Sequence, residues 1–123
     1  MYLLLSVLLG FSSLQELPGQ NEKYAIMYFF NPDCPSCREI APFIDYLKEE
    51  YEAAIYQYNT RNPVGFRYGM QHQIRYVPTI IISIERGDEN EIFRYEGIAE
   101  IKEAESHIAA LTGAKPPAIP EAQ

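Results

Sequence analysis

Residues Tyr24–Phe30 (YAIMYFF) form an unbroken apolar run, short enough for a strand and rich in the aromatic residues that strands favour. After it the period changes. Ile40, Phe43, Ile44, Leu47 and Tyr51 recur at three- and four-residue spacing, with Glu39, Lys48, Glu49 and Glu52 largely off that face, which predicts a helix over residues 38–51. Pro42 inside that pattern removes one backbone donor and predicts a kink. Residues 53–58 (AAIYQY) read as a second strand, parallel to the first because a helix intervenes. Residues 59–63 are a turn, and residues 64–73, with Gly65 and Gly69, a short irregular helical segment. The β-branched run at residues 78–84 (PTIIISI) predicts a third strand. A polar loop at residues 86–90 then returns the chain as an antiparallel fourth strand over residues 91–95. Gly97 breaks the pattern, Ile101, Ala104, Ile108 and Leu111 stripe a last helix over residues 100–111, and Gly113 is placed to end it.

The order β-α-β, then β-β-α, predicts an α/β fold: one four-stranded mixed sheet flanked by helices on both faces. There is no internal repeat, and a single domain is placed at residues 24–113. Residues 1–23 precede it as an apolar segment and connector, the connector carrying Pro18, Gly19 and Asn21. Residues 114–123, with three prolines, read as a loose tail. The apolar run at residues 2–11 is too short to span a bilayer, which takes roughly 20 residues. It has the length of a signal-peptide core, although no Lys or Arg precedes it and no A-x-A site follows. The expectation is an exported or periplasmic protein; the alternative is a first helix of a cytoplasmic one.

Charge and cysteine usage narrow the chemistry. Ten Lys and Arg against seventeen Asp and Glu give a net charge of −7, which disfavours nucleic acid and anionic membrane as partners. Two cysteines are too few for a disulfide-stapled scaffold, so Cys34 and Cys37 read as a working pair. The turn Asn31-Pro32-Asp33 delivers the first strand to Cys34-Pro35-Ser36-Cys37, with Cys34 at the very start of the helix and Cys37 in its first turn. The unpaired N–H groups and positive dipole end of a helix stabilise a thiolate and lower a cysteine pKa. Cys34 is therefore the candidate nucleophile and Cys37 the resolving thiol. His72 and His107 are the other soft ligands, but their spacing from the pair is not that of a zinc site, and no metal is expected. Asp33 and Arg38 flank the pair with opposite charges; turned inward, Asp33 would raise the Cys34 pKa and Arg38 lower it, and turned outward both are solvated. Tyr28 is read as core or cavity lining, because a phenol titrates near pH 10.

From about residue 24 to residue 111 the chain resembles thioredoxin-fold thiol–disulfide oxidoreductases. The resemblance is carried by the C-x-x-C after a strand, by Cys37-Arg38-Glu39-Ile40-Ala41-Pro42 as the active-site helix with its proline, by Val77-Pro78-Thr79 as the cis-proline signature, and by Gly97 between the last strand and helix. It implies a cis Pro78 that faces the cysteines and keeps metal from them. It also implies a substrate-binding surface made by Tyr76, the Val77 backbone, Pro78 and Gly97. The implied activity is disulfide exchange with protein disulfide or dithiol substrates by a monomer without a cofactor, recycled by a redox partner that the sequence does not identify. Five positions depart from the family pattern. Asp33 stands where a Trp is usual, Pro-Ser replaces Gly-Pro between the cysteines, Tyr28 occupies the place of a buried Asp, and Gln57 that of a frequent Lys. Two alternatives remain open: a redox-inert binding or assembly module with a structural disulfide, and a glutaredoxin-like, glutathione-dependent enzyme, since Cys-Pro-x-Cys is also similar to that family.

Overall fold

The computed structural model describes residues 23–113. Within them four strands form one mixed sheet: β1 (Tyr24–Phe30), β2 (Ile55–Asn59), β3 (Thr79–Arg86) and β4 (Glu89–Glu96), in the order β2-β1-β3-β4. Strand β1 runs parallel to β2 and antiparallel to β3, and β3 pairs antiparallel with β4. Three helices complete the unit: α1 (Pro35–Glu50), α2 (Pro63–Gln71) and α3 (Gly97–Thr112). The expectations for the apolar segment at residues 2–11 and for the tail concern residues outside those described. No helix among the described residues is long and apolar enough to cross a membrane.

The continuous apolar character of β1 follows from its place in the sheet. One face contributes Ile26 and Tyr28 to a core closed by Ile40, Ile44 and Leu47 of α1 and by Ile101, Ala104 and Ile108 of α3. The other contributes Met27 and Phe29 to a smaller cluster with Ile81, against which Tyr58, Tyr68, Ile74 and Val77 pack. A strand covered on both faces shows no alternation. Helices α1 and α3 are tied together by Glu105, whose Oε2 accepts from the hydroxyls of Tyr46 at 2.6 Å and Tyr51 at 2.5 Å.

Several boundaries differ from the sequence-based expectation. Helix α1 begins at Pro35 with Cys34 as its cap, in keeping with a cysteine at the very start of the helix, and ends at Glu50, one residue before the expected Tyr51. Helix α2 is regular and starts at Pro63, and α3 starts at Gly97 instead of residue 100. The β3–β4 hairpin is tighter than expected: Arg86 already pairs with Glu89, and Gly87 takes φ +65° in the two-residue turn. Strand β2 begins at Ile55, two residues late, and extends to Asn59.

Candidate active site

The site grows from the turn after β1. The Asn31 side-chain oxygen accepts from the Asp33 N–H at 2.8 Å, and its carbonyl accepts from the Cys34 N–H at 3.0 Å. This turn sets Cys34 in an extended conformation as the N-cap of α1. The sulfur then does what a Ser or Asp oxygen does at other helix starts: Cys34 Sγ accepts from the Cys37 N–H at 3.1 Å. Ser36 Oγ lies 3.4 Å from the same sulfur, and the thiol can donate to the Val77 carbonyl at 3.7 Å.

The two thiols are polarised in opposite directions. Burial works against a Cys34 thiolate, but hydrogen bonds from the side chains and N–H groups of Cys37 and Ser36 outweigh it and hold the pKa below the ordinary thiol value. Cys37 is 3% exposed. Burial, followed by its interaction with the Cys34 sulfur, pushes its pKa up to about 12, with the Asn31 backbone and the Arg38 charge pulling the other way. Both thiols are free.

Beneath Cys37 lies a cavity of about 280 Å³ lined by Tyr28, Phe30, Arg38 and Gln57 among others. Tyr28 stacks on Phe30 with ring centroids 5.4 Å apart and sits opposite Gln57 in the β1–β2 register. Burial, and then the two neighbouring sulfurs, push its phenol well above the ordinary value. Among the described residues Arg38 is the only charged one lining this cavity, and no carboxylate does.

The flanking charges take different partners from those the sequence suggested. Asp33 is exposed and forms an ion pair with Arg61, so its charge is directed away from Cys34. The Arg38 guanidinium donates to the Pro32 carbonyl at 3.1 Å and bears on Cys37 instead of Cys34. Ser36 was not singled out from sequence, although a hydroxyl two residues into a cysteine-capped helix is a readable signal.

A distant segment faces the pair. The Val77–Pro78 peptide bond is cis, and Pro78 is buried. The Pro78 carbonyl accepts from the Gly97 N–H at 2.9 Å, and Gly97 holds φ +87°, a conformation that glycine adopts without a Cβ clash. On the other side of the loop the buried Thr79 hydroxyl donates to the Tyr76 carbonyl at 2.8 Å. The fold thus brings Tyr76, Val77, Pro78 and Gly97 into one hydrogen-bonded loop system whose Val77 carbonyl touches Cys34. Among the described residues no group of three or more His, Cys, Asp or Glu side chains is placed to hold a metal ion.

A dithiol at the start of a helix, leaving the central strand of a mixed sheet and faced by a cis-proline loop, defines the class of thioredoxin-fold proteins with a cysteine pair. The sequence profile described as Thioredoxin matches residues 12–110, and the chain belongs to the thioredoxin family. It is 36% identical over 72 residues to an M-type chloroplastic thioredoxin of Spinacia oleracea, covering 57% of this chain and 39% of that protein. An M-type chloroplastic thioredoxin of Pisum sativum is 34% identical over 70 residues, covering 57% and 41%. The chain thus spans about two fifths of the length of the curated relatives it matches. In structure it is similar to the thioredoxin of Plasmodium falciparum, with TM-score 0.59 at 17% identity over 79% of this chain and 80% of the other, a likeness of fold.

Proposed function

We propose that the protein is a thiol–disulfide oxidoreductase that exchanges disulfides with polypeptide substrates through Cys34 and Cys37. The observation that carries this reading is the opposite polarisation of the two thiols: Cys34 is held below the ordinary thiol pKa by donors at the start of α1, and Cys37 is buried and raised. The Cys34 thiolate attacks one sulfur of a substrate disulfide; a Cys34–substrate bond forms and the other substrate sulfur leaves as a thiolate. Cys37 then loses its proton and attacks Cys34 Sγ, releasing the second substrate thiolate. The substrate is reduced by two electrons and the pair is oxidised to a disulfide. Regeneration consumes a dithiol donor supplied by a partner protein, and the same steps in reverse oxidise a dithiol.

Mixed-disulfide formation itself prepares the second step. Two of the influences that raise the Cys37 pKa come from the Cys34 sulfur. Bonding that sulfur to substrate removes its negative charge, so Cys37 becomes more acidic when it has to react. The Val77 backbone, whose carbonyl lies beside Cys34, supports recognition of an extended substrate strand, a mode tolerant of substrate sequence.

Limited alkylation at pH 7 tests the assignment. The reduced protein should label at Cys34 first, and Cys37→Ser should accumulate mixed disulfides while Cys34→Ser accumulates few. First labelling at Cys37, or failure to reduce insulin disulfides, would overturn the reading.

A further inference from the structure

Acidic residues are absent from one continuous stretch of about a quarter of the chain. Residues 53–84 contain no Asp or Glu but carry Arg61, Arg67 and Arg75, in a chain whose net charge is −7. That segment folds as β2, α2, the cis-proline loop and most of β3. Its exposed surface is apolar as well as basic. Phe66 is 58% exposed, Met70 65% and Tyr76 61%. Scattered apolar side chains at a surface are ordinary, but these three line one groove of about 350 Å³ together with Val77, Arg61 and Arg75. The groove ends at the nucleophile, because the Val77 carbonyl lies 3.7 Å from Cys34 Sγ.

Arg75 lines a second, polar cavity as well, of about 380 Å³, with Gln73 and Arg94. Arg94 is fixed there: its guanidinium donates to the His72 carbonyl at 2.7 Å and the Gln73 carbonyl at 3.3 Å, and lies 3.8 Å from Glu96. Arg61 is committed to Asp33. Arg67 and Arg75 make no ion pair among the described residues. An apolar groove therefore runs from the reactive sulfur to an unpaired arginine, with a second arginine behind it.

We propose that this groove selects substrate polypeptides carrying an apolar side chain and an acidic one close to the disulfide. The apolar group enters between Phe66, Met70 and Tyr76, and the carboxylate meets Arg75 and Arg94. This specificity rests on the oxidoreductase reading and adds the substrate class to it. Charge complementarity decides the occupant: a basic segment would bring its charge against Arg75, which has no ion-pair partner among the described residues, and like charges across an interface suppress wrong partners.

Single-turnover reduction of three disulfide peptides tests it. All carry the same apolar residue, and they differ in having two Asp, two Ser or two Lys beside the disulfide. For the pre-reduced protein at low salt, the Asp peptide should react about tenfold faster than the Lys peptide, the ratio shrinking toward one in about 0.5 M salt. Arg75→Glu should reverse the order, and Arg75→Gln should give an intermediate ratio from a milder change. Equal rates for the three peptides, a preference for Lys, or a preference untouched in both variants would overturn the proposal. So would self-association through this face, seen as a concentration-dependent dimer by sedimentation. Bis(2-hydroxyethyl) disulfide separates the two readings. If it is reduced without discrimination among peptides, the docking site falls alone; if it is not reduced at all, the oxidoreductase reading falls with it.

Discussion

Cys37 has to give up a proton in a place where the described residues offer no base. Its cavity is lined by Tyr28, Gln57 and Arg38, and the phenol, raised further by burial, stays protonated at neutral pH. With the Cys37 pKa raised, its thiolate fraction below that pKa grows about tenfold per pH unit. The resolution rate should therefore climb steadily from pH 6 to 9, without a separate carboxylate inflection near neutrality. Tyr28→Asp should introduce such an inflection and speed resolution near pH 7, at a stability cost from burying an acid. Stopped-flow reduction of a small disulfide measures both profiles; an unchanged profile in Tyr28→Asp would mean that the proton leaves elsewhere. The roles of the cysteines could be argued from their order after a strand, since helix polarity alone distinguishes a first-turn sulfur from a capping one. The partner of a charge could not. Asp33 and Arg38 sit symmetrically about the pair in sequence, yet one turns to Arg61 across the surface and the other sits over Cys37.

Among the elements, α2 shows how a correct residue can carry a misleading signal. Gly65 and Gly69 suggested an irregular segment, because glycine weakens helices. Gly65 is there for a different reason: a Cβ at that position would overlap the Asn59 backbone, so glycine lets α2 approach β2. Gly69 has room, its added Cβ meeting Thr60 Cγ2 at 3.8 Å and Ile74 Cβ at 3.9 Å. Gly65→Ala should therefore destabilise by about 1–3 kcal/mol through overpacking. Gly69→Ala should be neutral or stabilise by up to about 1 kcal/mol through helix propensity. Urea midpoints compare the two directly, and equal shifts would refute the close-approach argument. The strongly apolar elements were legible because a buried period is written in the residues themselves. The start of α3 was not, since Gly97 reads as a break in the pattern and yet is the first residue of the helix.

For the molecule as a whole, the buried and half-buried acids that are neutral when protonated govern the alkaline limit of stability. Cys37 and the phenols of Tyr28, Tyr46, Tyr51, Tyr58 and Tyr95 all have raised pKa values in the folded state. The unfolded chain releases these protons first, so the contribution present at lower pH is lost as pH rises above the ordinary thiol and phenol values. Cys34 acts with the opposite sign: its contribution is present above the ordinary thiol pKa and fades as pH falls through its lowered one. The reduced protein should show a urea midpoint that falls from about pH 9 upward, with the Cys37→Ser protein losing less between pH 9 and 10. A midpoint constant to about pH 11 would contradict this. The capping sulfur has a consequence for motion. In the thiolate, the bond from the Cys37 N–H to Cys34 Sγ is charge-assisted; in the mixed disulfide the same sulfur is neutral and holds the first turn less firmly. The start of α1 should therefore fray more readily in the one state where Cys37 has to swing toward its target, and tighten when the electrons return.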